Sequence, residues 1–350
     1  MPTNEAGAGH EGQPVASAAA TGSADQPVQG RSAAVVPVAA ATAAPQTEEQ
    51  RTKDYAKAGR NLYVAVPVGL ALIALVVVTL IWLNWLFVIL AAVLLVRAIW
   101  EIDRGLRHQT AIRPVLIPVL VGAGATILAA YFGAPAGERP EVGQGGWWTW
   151  LAPGLLPWSA DRLALGLLAG TAAVCLAVRL ARGLEGYIRD VSASLFLLAY
   201  GLLGCCLVLL LTDRLGPARM AFFVLAIIGS DTGAYVAGVL FGRHRMAPRI
   251  SPHKTWEGVV GALLLSPAAA LIVVAVVLPL PWWQAVLAAE AIAVAGILGD
   301  LVESAVKRDL GIKDLGGIIP GHGGVMDRVD SYLLAAPVAW LVLALVVPGA

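Results

Sequence analysis

Residues 62–100 read LYVAVPVGLALIALVVVTLIWLNWLFVILAAVLLVRAIW, 39 positions with one charge, Arg97. A helix crosses the hydrocarbon of a bilayer in about 20 apolar residues, so this run is long enough for two. Asn84, between Trp82 and Trp85, marks a tight hairpin between them. Working outward with the same criterion gives further spans at roughly 114–132, 161–178, 190–211, 217–241, 257–279, 282–305 and 331–348, nine in all. The fold expected is all-α: a polytopic integral membrane protein.

Composition agrees. Of 350 residues, 58% are hydrophobic and 13% charged, which excludes the two soluble domains that this length would otherwise suggest. A net charge of +1 points to no polyanionic partner. Cys175, Cys205 and Cys206 lie in apolar runs without metal-ligand spacing and read as small core hydrophobes.

The chain then divides by composition. Residues 1–50 are Ala-, Gly-, Ser-, Thr-, Pro- and Gln-rich without an aromatic, and a disordered tail is expected there. They lack the charged segment and apolar core of a signal peptide. Arg51, Lys53, Lys57 and Arg60 make a basic juxtamembrane collar over 51–61. Residues 62–216 hold the first five spans. Residues 217–350 hold the last four, with loops 242–256 and 306–330 assigned to the cytoplasmic side.

Charge sets the orientation. With the N-terminus inside, 19 Lys and Arg fall on the inner side against four outside, Arg139, Arg162, Arg214 and Arg219. That bias predicts N-in, C-out and an odd number of spans in the cell (cytoplasmic) membrane. Eight of eleven tryptophans, Trp147, Trp148, Trp150 and Trp158 among them, fall at the outer interface.

Several polar residues sit where hydrocarbon is expected. Asp231 lies ten residues before the inner end of its span, ~15 Å deep at helical rise. An ionisable group at that depth faces the bundle interior or a wet cavity. Ala234, Tyr235, Gly238 and Gly242 share its helix face, and the small ones admit a close neighbour. Asp300 is also within hydrocarbon depth, with Glu303, Ser304 and Lys307 along the same face. The alternative for Asp231 is a carboxyl that locks helices together, and for Asp300 an exposed helix end with i,i+4 pairing. Glu290, further out on that helix, has no evident partner.

The stretch 299–330 is the most polar part of the C-terminal half. It carries five aspartates, one glutamate, Lys307, Arg308, Lys313, Arg328 and His322, with Gly321, Gly323 and Gly324 around the histidine. Carboxylates suit hard divalent cations, Lys and Arg suit phosphates, and glycine amides approach anions closely. Upstream, Ser251, Lys254, Thr255 and Trp256 crowd before a helix N-terminus, an anion-binding arrangement. Metal-assisted phosphate chemistry is the reading.

These blocks resemble a known family. Ser304-x-x-Lys307-Arg308-x4-Lys313-Asp314-x-Gly316-x3-Pro320-x-His322-Gly323-Gly324-x-x-Asp327-Arg328-x-Asp330 is similar to the signature of phosphatidate cytidylyltransferases (CDP-diacylglycerol synthases). Ser230–Tyr235 and Ser251–Gly258 resemble its other two blocks, and Trp100-Glu101 is a faint echo in the first half. His253 departs from the pattern, which usually has a second basic residue there. The resemblance implies CTP + phosphatidate → CDP-diacylglycerol + pyrophosphate, with Mg²⁺ and a second cation as the candidate cofactors.

The site expected on that basis has Asp231, Asp300, Lys307 and Asp327 as catalytic residues, with Asp300, Asp327 and Asp231 as metal ligands. Ser251, Lys254, Ser304, Arg308, Lys313, His322, Gly323, Gly324 and Arg328 bind substrate. The partners expected are CTP, phosphatidic acid and membrane lipids, with a homodimer among the assemblies open and no nucleic acid. The alternatives are a CTP-dependent membrane lipid kinase and, in another class, a cation-coupled transporter.

Overall fold

A computed structural model describes residues 74–80, 82–133, 160–212, 215–316 and 324–347. The chain separates into two units, Met1–Tyr55 and Ala56–Ala350, and every described residue belongs to the second. The expected tail, the basic collar, most of the first span, the four tryptophans between residues 134 and 159, and His322 and Gly323 lie outside the described residues.

From Asn84 on, the described residues form eight helices in order: α1 (Asn84–Gln109), α2 (Leu116–Phe132), α3 (Ala160–Ala181), α4 (Tyr187–Leu209), α5 (Gly216–Phe241), α6 (Trp256–Val276), α7 (Trp282–Asp309) and α8 (Met326–Val346). All but α2, which has 17 residues, are long and apolar enough to cross a membrane, giving seven candidate spans among the described residues. Each of the eight falls on one of the nine expected segments. Helical residues 74–80 begin the account of the remaining one, and the helix breaks at Leu83 (φ −138°, ψ 57°), beside the expected Asn84.

The helices outrun the apolar segments at one end. α1 continues nine residues beyond Trp100 to Gln109, supported by an i,i+4 pair in which Arg107 Nε lies 2.6 Å from Asp103 Oδ2. The connection between α5 and α6 has a structure of its own. Residues 242–256 form an antiparallel hairpin, β1 (Arg245–Ala247) with β2 (Ser251–Thr255). His244 Nδ1 sits 2.6 Å from Glu257 Oε1 and Trp256 N donates to His244 O at 3.0 Å, which closes the hairpin at its base.

Helix packing in an apolar medium depends on close fit. α5 and α6 meet on Gly229, Gly233 and Ala237 against Gly258, Gly261 and Leu265. A Cβ added at Gly233 would strike the Gly261 carbonyl, and one at Gly261 would strike the Gly233 carbonyl. The two backbones touch. α1 turns Ala98, Glu101, Ile102 and Gly105 inward, all buried, and a Cβ at Gly105 would lie 3.2–3.6 Å from Leu310, Ile312 and Leu315.

Contacts also gather the basic connections at one end of the bundle. Arg113 N donates to Asp190 Oδ1 at 3.0 Å, joining the α1–α2 turn to the start of α4. Arg179 Nε meets Asp190 Oδ2 at 3.0 Å, adding the end of α3. Arg308 Nε donates to Ile250 O at 3.2 Å, joining the hairpin to the end of α7. With Gly105 against residues 310–315, four connections share one end.

Candidate active site

At that end a cleft of about 410 Å³ lies between α5, the hairpin with the start of α6, α7 and α8. Each wall brings its charges by a simple local device. α7 contributes Asp300, Glu303 and Lys307 at i, i+3 and i+7, one helical face. β2 ends at Thr255, whose Oγ1 accepts from Gly258 N at 3.1 Å and caps α6. Lys254, one residue earlier, thereby reaches Asp300 Oδ2 at 2.6 Å and Ile297 O at 3.5 Å. α8 opens with Asp327, Arg328 and Asp330 on the opposite side. α5 supplies Asp231, Ala234 and Tyr235, three members of the face expected from sequence.

The charges are matched across the walls. Lys307 Nζ contacts Glu303 and lies 3.0 Å from Asp327 Oδ1. Asp327 Oδ2 accepts from Gly324 N at 2.8 Å. Ser304 Oγ lies 3.5 Å from Asp300 Oδ1, the outer limit of a hydrogen bond. Asp330 Oδ1 accepts from Ser331 N at 2.8 Å.

Three carboxylates converge. One oxygen each from Asp300, Glu303 and Asp330 lie within 4.8 Å of one another. Glu303 is 2% exposed, and its Oε1 has no hydrogen-bond partner among the described residues. Like charges held this close with an orphaned buried oxygen suit a hard divalent cation, which binds carboxylate oxygens. The residues present therefore fit the expected metal.

The structure sorts the sequence expectations. Asp231, Lys254, Asp300, Lys307, Asp327 and Arg328 all line the cleft. The carboxylate set that it draws together is Asp300, Glu303 and Asp330, whereas the sequence reading chose Asp300, Asp327 and Asp231. Asp327, in the same cleft, meets Lys307 and the Gly324 amide. Glu303 was placed on the Asp300 face and Asp330 in the signature stretch, but neither was named as a metal ligand from sequence. Their i+3 spacing from Asp300 and Asp327 was the available signal.

Among the described residues, Ser251, Ser304, Arg308, Lys313 and Gly324 do not line the cleft. Arg308 is turned to the carbonyls of Ile250 and Ile312 at 3.2 and 3.4 Å, where it joins the hairpin to α7. His253, given no role from sequence, does line it, as do Tyr235 and Tyr332. Glu290 is half-buried on α7 and is not a wall of the cleft.

Comparison with known proteins gives this arrangement a context. Residues 64–346 match the model of the cytidylyltransferase family. The chain is similar to a phosphatidate cytidylyltransferase of Mycobacterium leprae (strain TN), 36% identical over 316 residues that cover 85% of this chain and 92% of that one. It is 35% identical over 312 residues to the Mycobacterium bovis protein of the same name, covering 85% and 93%. The Bacillus subtilis (strain 168) phosphatidate cytidylyltransferase is 41% identical over 134 residues, 38% of this chain and 50% of that one. The family match takes in every described helix and all four walls of the cleft, and the chain belongs to the cytidylyltransferase family.

Proposed function

We propose that the protein is a phosphatidate cytidylyltransferase of the cell membrane, converting CTP and phosphatidate to CDP-diacylglycerol and pyrophosphate. The supporting observation is the cleft itself: Lys254, Lys307 and Arg328 face Asp231, Asp300, Glu303, Asp327 and Asp330 at the basic end of an apolar bundle. Its volume is within the range that encloses a nucleotide-sized ligand. The excess of basic residues at that end supports a cytoplasmic position in the nine-span, N-in topology proposed with it.

The reaction needs no protein nucleophile. An oxygen of the lipid phosphate forms a bond to the α-phosphorus of CTP as the bond to the bridging oxygen breaks, and pyrophosphate leaves with that electron pair. The barrier is repulsion between two polyanions and their alignment in line. Lys254 and Lys307 reach between the walls and lower that repulsion. Arg328, at the start of α8, adds a third cation. Asp300, Glu303 and Asp330 would hold Mg²⁺, with Asp231 and Asp327 beside them for further ligation. When bound, the ion neutralises phosphate charge and orients the leaving pyrophosphate. Carboxylates also hold the lysines in register: Asp300 fixes Lys254, while Glu303 and Asp327 fix Lys307.

The test is direct. Purified protein with labelled CTP, Mg²⁺ and phosphatidate vesicles should form lipid-linked CMP and release one pyrophosphate per product. Phosphorylated lipid and CDP in place of those products would convict the kinase alternative instead.

A further inference from the structure

We infer that Glu101, on α1, is a positioning residue for the reaction proposed above: its buried carboxylate fixes the first turn of α8 and so sets Asp327 against Lys307. The inference rests on that reading of the cleft. Glu101 is 1% exposed and comes from the other half of the chain, 225 residues before Met326, yet its Oε2 accepts from Met326 N at 3.0 Å. That amide is one of the α8 donors that the helix itself leaves without a partner. A negative group there is also favoured by the helix dipole.

The carboxylate is fitted on its other sides. Its Oε1 lies 3.3 Å from Arg97 Nη2, and the Arg97 guanidinium rests 4.2 Å from the centre of the Trp100 ring. A Cβ at Gly316 would strike Glu101 Oε1. One at Gly324 would lie 2.6 Å from Glu101 Oε2, 2.8 Å from Gly316 N and 3.0 Å from Asp327 Oδ2. Both glycines leave room for one carboxylate. Gly324 then donates its amide to Asp327, whose other oxygen meets Lys307. Contacts thus run without a gap from Trp100 through Arg97 and Glu101 to Asp327 and Lys307.

Removing Glu101 leaves a buried α8 amide without an acceptor and a void beside Gly324. The first turn of α8 then shifts, carrying Asp327, Arg328 and Asp330. Misplacement of reacting groups by about 1 Å costs roughly 100-fold in rate, and alignment lost in the transition state appears in kcat more than in KM.

The experiment uses the purified full chain. Wild-type turnover of CTP and phosphatidate, measured first, tests the reaction alone. Glu101→Ala should lower kcat per folded molecule about 100-fold with KM for CTP within about threefold. Glu101→Gln keeps a carbonyl acceptor for Met326 N and should return kcat to within about tenfold of wild type. Trypsin cleavage after Lys313 should quicken in Glu101→Ala, with or without substrates. If Glu101→Ala does not fold, Gly324→Ala presses on the same carboxylate from the other side and should show the same kcat loss.

A kcat for Glu101→Ala within about threefold of wild type, or Glu101→Gln as slow as Glu101→Ala, overturns the inference. Unchanged trypsin cleavage does so as well. A wild type without turnover, alongside faster cleavage in Glu101→Ala, overturns the reaction and supports the anchoring of α8.

Discussion

Two aspartates, each paired with a cation, have opposite uses. The Asp300 side chain is 39% exposed, faces the cleft and meets Lys254 at 2.6 Å. The Asp190 side chain is 4% exposed and accepts from Arg113 N, Arg179 Nε and Arg189 Nε. Solvent-reached pairs contribute about 0–1 kcal/mol, whereas breaking a buried pair costs about 3–5 kcal/mol because a charge is left without its partner. Asp300→Asn should therefore melt near wild type and lose at least about 100-fold in turnover, as removal of a charge-stabilising group does. Asp190→Asn should melt markedly lower while its folded fraction keeps wild-type kcat. Thermal melts and kcat, both in detergent, read the two together, and near-normal turnover in Asp300→Asn would sink its assignment. Asp300 was legible because an acid inside an apolar run is conspicuous. Asp190 was not: it sits in a basic, polar stretch at a span end, where an aspartate is unremarkable until the fold brings Arg113 and Arg179 to it.

At the scale of elements, periodicity showed which residues share a face but not which neighbour that face takes. Ala234, Gly238 and Gly242 were seen as a small-residue face beside Asp231. The closest approach of α5 to α6 lies on the adjoining stripe, Gly229, Gly233 and Ala237. The hairpin was missed for another reason. A five-residue strand that includes Pro252, with a polar flank, carries no alternating pattern, and it is held by closure at His244 and Glu257 and by the Thr255 cap. The α5–α6 contact bears on the cleft, because α5 carries Asp231 while Lys254 is tied to the α6 N-terminus. Gly233→Ala should force the two backbones apart, costing about 1–3 kcal/mol as overpacking does. Denaturant unfolding in detergent should record that loss, with a raised KM for CTP in the variant. Unchanged stability would mean that the helices separate freely and that their contact does not set the width of the cleft.

For the whole molecule, the sequence reading rested on parity: an odd number of spans and a count of cations that alternates between sides. Among the described residues, Arg113, Arg179, Arg308 and Lys254, from four different connections, are found at one end. Apolar length alone could not have shown this, since it says nothing about which turns meet. The reaction proposed above carries an expectation of which side of the membrane that end faces. A nucleoside triphosphate carries several charges and does not cross hydrocarbon, so a cleft built to receive one must face the compartment that holds it. The excess of basic residues at the same end agrees with a cytoplasmic position. The two requirements are independent, and a single experiment tests their common answer. A cysteine replacing Arg249 in the exposed turn of the hairpin should escape a membrane-impermeant maleimide in intact cells and react once the cells are opened. One replacing Pro281, exposed at the start of α7 and one helix away from the hairpin, should react in intact cells. Cys175 and Cys205 are buried, so a Cys206→Ala background keeps the signal clean. The reverse labelling pattern would put the cleft on the outer face, away from its nucleotide, and would overturn both the topology and the reaction proposed for it.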